Sequence, residues 1–187
     1  MALYGGIHSF LAGQRPRLLA RRLFGEAGRR WYRLAYNLLA GLLLLPILLL
    51  VRILPDAPLY TIPMPLMLLT MALQGIAILS IIFVIYETGI MAFVGLAPED
   101  GRNPQLVTNG AYHWMRHPLY TASLVVLWLF PTMGWNLLAF NLGATIYILV
   151  GIRFEERRLL RVYGKKYADY RRRTPMLFPL PGFLKRE

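Results

Sequence analysis

Two stretches of this 187-residue chain hold residue types that do chemistry. Residues 106–120 read Leu-Val-Thr-Asn-Gly-Ala-Tyr-His-Trp-Met-Arg-His-Pro-Leu-Tyr, a dense mixture of aromatic and basic groups directly ahead of an apolar run. The second stretch is Arg153-Phe154-Glu155-Glu156-Arg157-Arg158-Leu159-Leu160, where another apolar run ends in paired carboxylates. A helix continued through it puts Ile152, Glu156, Leu159, Leu160, Tyr163 and Tyr167 near one face, so that Glu156 is an acid on an apolar stripe. An ionisable group at a membrane edge is costly unless paired, which makes a functional role the default reading. Its natural partners are Arg116 and His117, because the two apolar runs form one hairpin.

Other chemistries drop out. With no cysteine, thiolate metal sites, disulfides and cysteine nucleophiles are excluded. No Gly-x-Gly-x-x-Gly occurs, so the usual soluble nucleotide-binding fold is not on offer. His113 and His117 have the spacing of a helical metal pair, but the residue before Pro118 is biased away from helix and no third ligand is evident, so no metal is expected.

The elements that must position these groups are membrane helices. Of all residues 57% are hydrophobic and 16% charged, against roughly 45–50% and about 25% in a soluble domain. Leu38 to Leu54 is nearly pure leucine and isoleucine until Arg52, and Pro65 to Tyr86 holds no charge over 22 residues, enough to cross a core of roughly 30 Å. Leu119 to Met133 and Trp135 to Ile152 form a pair around Pro131, Gly134 and Asn136, the turn formers of a tight hairpin. The first member is short for a crossing, and Pro46 is a candidate kink in the first span. The expected fold is an all-α integral membrane protein. It has about four transmembrane helices, a short N-terminal apolar segment (Met1 to Leu11, too short to cross) and a cytoplasmic C-terminal helix. The expected division is 1–37, an apolar then basic cytoplasmic segment; 38–86, the first helix pair; and 87–187, the catalytic and cofactor-binding region. Met1 to Ala12 does not read as a cleavable signal.

Charge orients the chain. Seven arginines lie between Arg15 and Arg33, two basic residues between Glu87 and Leu119, and eleven after Ile152, leaving Arg52 alone on the other face. The positive-inside rule makes the basic face cytoplasmic, with the Asp56 loop and the Gly134 hairpin tip outside. The net charge of +12 then answers to anionic headgroups; no nucleic-acid-binding pattern appears.

The run Gly110, Tyr112, Arg116-His117-Pro118, Tyr120, then Glu155-Glu156, Leu159, Tyr163-Gly164, Tyr167, Tyr170, Arg173, Pro175 and Pro179 resembles the C-terminal half of isoprenylcysteine carboxyl methyltransferases and phospholipid N-methyltransferases. Upstream, His8-Ser9-x-Leu11-Ala12 and Tyr32-Arg33-x-x-Tyr36-Asn37 are similar, more weakly, to the NnrU and methanethiol S-methyltransferase branch. The resemblance implies a membrane methyltransferase using S-adenosylmethionine. Its cofactor-binding residues are then Val107, Gly110, Tyr112, Arg116, His117, Pro118, Tyr120, Glu155 and Glu156, with Glu156 and Arg173 as catalytic residues. Glu155 or Glu156 suits the cofactor's ammonium, Arg116 with His117 its carboxylate, and Tyr112 and Tyr120 its ring or ribose. The resemblance also implies membrane lipids and a lipophilic or small acceptor (thiol, carboxylate or amine) as partners. Departures from the pattern are Ala111, where many relatives have proline, and Thr121-Ala122-Ser123, where a glycine is usual.

Plainer readings compete. Glu155 and Glu156 also serve as counter-charges to Arg153, Arg157 and Arg161, which repel one another at spacing four. Tyr163, Tyr167 and Tyr170 read as interfacial belt residues, His8 as a polar residue at a helix end, and Arg171 to Arg173 as solvated or lipid-facing. An NADPH-dependent reductase of the sterol reductase type shares a similar Arg-His-Pro-x-Tyr and Glu-Glu ending, but Leu119 and Thr121-Ala122-Ser123 favour methyl transfer. A non-enzymatic scaffold or transporter disagrees with ionisable groups gathered at one membrane edge.

Overall fold

The computed structural model of the chain describes residues 1–89 and 106–179. In chain order the elements are α1 (Ala2–Leu11), α2 (Gln14–Ile53), β1 (Pro58–Thr61), α3 (Leu66–Thr88), α4 (Ala111–Trp114), α5 (Pro118–Trp128), β2 (Thr132–Gly134), α6 (Trp135–Tyr163) and α7 (Lys165–Arg173). The two short strands pair as one small sheet. Among the described residues, everything else regular is helix.

Among the described residues three helices are long and apolar enough to cross a membrane: Trp31–Ile53, Leu66–Thr88 and Trp135–Tyr163. Twenty-three residues rise about 35 Å, against a hydrocarbon core of about 30 Å. Their side chains confirm the solvent they expect. Leu38, Leu42, Leu45 and Leu49 on α2, and Ile76, Leu79, Ile82 and Phe83 on α3, stand exposed, an apolar surface that water would not tolerate.

The fourth expected span differs. The run from Leu119 forms only the 11-residue α5, roughly 16 Å long and about half the core thickness. Pro118 at its first turn fixes φ where no N–H is needed. Pro131 ends the run by pushing Phe130 away from helical angles, and the Pro131 carbonyl instead accepts the Ile62 N–H at 2.8 Å. Pro46 lies inside α2, whose non-helical residue is Gly25, at φ 58° and ψ −136°, ahead of the first span. The polar connection that the sequence offers at Pro98 to Asn109 lies largely outside the described residues.

The chain divides into two compact units. The first takes residues 1–60, 85–89 and 133–147. There α1 packs on α2, with the Tyr32 hydroxyl donating to the Leu11 carbonyl at 2.6 Å. His8 is not a bystander at a helix end, because its Nε2 is hydrogen-bonded to the Tyr36 hydroxyl within a cluster of Tyr4, Tyr36 and Tyr147 rings. Asn136 closes the other end, donating from its side chain to the Leu54 carbonyl at 3.1 Å and from its backbone to Asp56 Oδ1 at 3.2 Å.

The second unit takes residues 61–84, 106–132 and 148–179. Its core includes Ile152, fully buried, with Ala122, Leu124 and Tyr167. Gln74 on α3 donates to the Val126 carbonyl of α5 at 2.9 Å. The helix that begins as α6 does not continue to Tyr167. Gly164 adopts φ 54° and ψ −124°, a left-handed region that favours glycine, and α7 starts anew behind it.

Candidate functional site

The chemistry-bearing residues themselves lie within the second unit. Gly110, at φ 58°, turns the chain into the single helical turn α4, again a conformation suited to glycine. Met115 then extends (φ −155°, ψ 150°), and His117 takes φ −129° and ψ 64° before α5 begins. His113 and His117 therefore do not share a helix. The extended stretch instead turns Arg116 and His117 toward the last turns of α6.

There they meet the carboxylates. Arg116 Nη2 lies 3.1 Å from Glu156 Oε1, with 10% and 14% of the two side chains exposed. His117 Nε2 lies 3.4 Å from the same oxygen, and its Nδ1 is 3.9 Å from Glu155 Oε2. Glu156 is thus the hub and the half-exposed Glu155 a flanking charge. On the far side Arg171 Nη1 approaches Glu156 Oε2 at 4.0 Å. A charge pair this buried is held together only if its remaining donors and acceptors are also served. One is not: Arg116 Nε is buried and makes no hydrogen bond among the described residues, while the buried Tyr167 hydroxyl has only a weak hydrogen bond to Glu156.

Burial sets the protonation states. It pushes His117 below its ordinary value, outweighing the opposing pull of Glu155 and Glu156, while Arg116 adds to the depression. The imidazole is accordingly neutral near pH 7 and donates one N–H. Burial, reinforced by the negative charge and weak hydrogen bonding of Glu156, raises Tyr167 and keeps it a phenol. Tyr170 is pushed up to about 12 by burial against the pull of Arg116.

The sequence-named residues fare differently. Arg116, His117, Glu155 and Glu156 come together, with the Tyr120 ring 5.6 Å from that of His117 and Pro118 next to His117 in the chain, while Tyr112 meets Tyr170 through its carbonyl. Val107 is exposed ahead of α4, and so is Gly110. Arg173 is exposed at the end of α7 without a hydrogen bond or ion pair among the described residues, whereas Arg171 reaches the cluster. Tyr167 is 1% exposed, so it is no belt residue. The apolar stripe already set Tyr167 on the face of Glu156, and Ile152 and Tyr167 are both buried; Arg171 was passed over as a partner of Glu156, because the turn at Gly164 resets which side of the next helix faces inward, and the glycine itself was the available signal.

The phospholipid methyltransferase family matches residues 64–166, more than half of the chain. The chain belongs to that family. The matched region runs from α3 through α6 and includes both the Arg116-His117-Pro118 segment and Glu155-Glu156. Methanethiol S-methyltransferase of Mycobacterium tuberculosis is 49% identical over 70 residues, covering 37% of this chain and 29% of that protein. The methanethiol S-methyltransferase of Crocosphaera subtropica is 45% identical over 75 residues, 40% of this chain and 29% of that protein. Protein-S-isoprenylcysteine O-methyltransferase of mouse is 33% identical over 89 residues, 43% of this chain and 30% of it. The chain thus aligns with less than a third of the length of each of these relatives. No solved structure matches it significantly.

Proposed function

We propose that this phospholipid methyltransferase family member is an S-adenosylmethionine-dependent membrane methyltransferase. Its methyl acceptor is a lipophilic or small membrane-accessible thiol, carboxylate or amine. The observation that carries the reading is the buried Arg116–Glu156 pair with a partnerless donor, Arg116 Nε, and the weakly bonded Tyr167 hydroxyl beside it. Buried donors without partners are rare in native structures and call for a ligand that supplies acceptors. An amino-acid ligand does so with its carboxylate, and its ammonium fits Glu156 Oε2, which Arg171 Nη1 approaches only to 4.0 Å. The donor set therefore suits S-adenosylmethionine: acceptors of positive charge in Glu156 and Glu155, donors in Arg116, His117 and Tyr167, and aromatic surface in Tyr112 and Tyr120.

When bound, that cofactor supplies an activated methyl group on a sulfonium. The chain's own part is to align and to exclude water. Arg116 and Glu156 fix the charged end of the ligand, neutral His117 holds Glu156 in place through Nε2, and the buried faces of Thr121, Ala122 and Leu124 keep the floor dry. Displacement at a methyl group gains most from alignment and desolvation. Names of relatives that act on methanethiol and isoprenylcysteine support an acceptor that loses a proton or enters from the bilayer. Residues 87–187 form the catalytic region in this reading, Arg173 serves the acceptor, and the basic segments put the site at the cytoplasmic face.

The deciding experiment is thermal unfolding of purified protein with S-adenosylhomocysteine. Wild type should gain stability by mass action and Glu156→Ala should not, while NADPH should leave both unmoved. Stabilisation by NADPH alone would sink the methyltransferase reading in favour of a reductase.

A further inference from the structure

The chain leaving α7 has no part in the reading above. Thr174 is extended at φ −117° and ψ 128°, and the residues after it lie along the Arg-His pair. The Pro175 carbonyl accepts the Arg116 N–H at 2.9 Å and the Met176 carbonyl accepts the His117 N–H at 3.1 Å. These two donors sit in the non-helical stretch ahead of Pro118, and the 174–177 strap gives them the backbone partners that the local chain does not.

Thr121 holds the strap. Its side chain is buried in the first turn of α5, and its hydroxyl lies 2.7 Å from the Leu177 carbonyl and 3.1 Å from the His117 carbonyl. One proton serves two acceptors, and the shorter contact is the one 56 residues away. A threonine inside a helix ordinarily bonds back to the carbonyl four residues earlier and stops there. Here the hydroxyl joins that carbonyl, which belongs to His117, to the strap that also pins the His117 N–H.

We propose that Thr121 is a positioning residue that, by gripping Leu177, fixes the 174–177 strap on the Arg116-His117 backbone and so sets the direction in which both side chains reach Glu156. The side chains of an Arg-His pair leave the backbone along directions fixed by its φ and ψ, and a displacement near 1 Å at a binding group costs up to roughly a hundred-fold in function. The consequence for ligand binding rests on the proposed function; the consequence for the backbone does not.

Hydrogen exchange of the full chain in detergent separates the two. Thr121→Val, which keeps the shape and removes the hydroxyl, should speed exchange of the Arg116 and His117 amides by roughly ten-fold or more while leaving α3 unchanged, and Thr121→Ser should restore protection. If the valine proves too disruptive to fold, Thr121→Ala makes the same test without a second methyl against the Leu177 carbonyl. Unaltered exchange at Arg116 and His117 in a folded variant overturns the inference, as does an equal rise throughout α3 and α5, which would make Thr121 an ordinary core residue. In the binding arm, Thr121→Val should weaken S-adenosylhomocysteine by roughly ten-fold and Thr121→Ser should bind as wild type. A wild type that fails to bind S-adenosylhomocysteine would defeat the proposed function and leave the exchange result to decide Thr121.

Discussion

The Tyr170 hydroxyl donates to the backbone carbonyl of Tyr112 at 2.6 Å, tying α7 to the turn that delivers Arg116. Because burial keeps this phenol protonated up to about 12, the bond persists at any pH the protein meets. Tyr170→Phe should therefore cost about 1 kcal/mol of stability, the usual net worth of such a bond, with the loss equal at pH 6 and pH 9. Chemical denaturation at the two pH values reads it. A cost that vanishes at the higher pH would mean that the hydroxyl titrates and the tie is not the one described.

His117 gives the structure a pH dependence of definite sign. Its folded pKa lies below the ordinary value of about 6.5, so the unfolded chain binds the proton more readily. Stability is then full above about 6.5 and falls as the pH drops through 6.5 toward the lowered folded value, where the loss levels off. Unfolding midpoints of wild type should decline through that window. His117→Gln, which keeps an N–H donor for Glu156 but cannot titrate, should show a flatter profile there; an unchanged slope would assign the dependence to another group.

Much of this was legible in the sequence, and the misses share a cause. Uninterrupted apolar runs located α2, α3 and α6, because hydrocarbon solvent demands them regardless of tertiary detail. The pairing of Arg116 and His117 with Glu156 was also readable, since a buried acid at the end of one run needs the cations that precede the other. What went unread depended on backbone geometry. Gly25 interrupts α2 ahead of its apolar run, and α5, already short in the sequence, ends at Trp128 ahead of Pro131. Gly164 breaks the helix along which the stripe from Ile152 to Tyr167 was drawn, and the strap bonds through main-chain carbonyls, which leave no trace in residue type.

The weakly bonded hydroxyl of Tyr167 sets function against stability. A weak hydrogen bond to Glu156 recovers little of the roughly 1–3 kcal/mol that burying such a donor costs, so Tyr167→Phe should leave the ligand-free protein as stable as wild type or more so by about 1 kcal/mol. If the hydroxyl serves the ligand, the same change should weaken S-adenosylhomocysteine by roughly three- to thirty-fold. Melting curves with and without the compound give both numbers. A variant less stable on its own and unimpaired in binding would show that the hydroxyl is already fully served within the protein.

Orientation is checked by single cysteines in a chain that has none of its own. Cysteines at Arg22 and Lys165 should react with a membrane-impermeant reagent only after the cytoplasmic face is opened, and one at Ala57 should react from the outside. The reverse pattern would move the Glu156 cluster to the outer face.

The arginines closing α7 separate binding from turnover. Arg171 lies 4.0 Å from Glu156 Oε2 and lends its carbonyl to Arg116 Nη1 at 3.4 Å, so Arg171→Ala should act on the ligand-binding cluster and weaken S-adenosylhomocysteine by roughly two- to ten-fold, the scale of a half-exposed charge pair. Arg172 pairs with Asp169 at 2.7 Å on an exposed surface, and Arg172→Ala should change little. Arg173 stands exposed beyond both, and the proposed function assigns it to the acceptor. Its replacement by alanine should leave S-adenosylhomocysteine binding within a few-fold and lower turnover by roughly ten- to a thousand-fold, the range for losing one positioned group. Calorimetric titration of the three variants, paired with turnover against an acceptor panel using labelled S-adenosylmethionine, distinguishes these roles. Full turnover in Arg173→Ala together with loss in Arg171→Ala would shift the acceptor-facing position two residues earlier in the chain, and full turnover in all three would make this arginine run a lipid-facing patch.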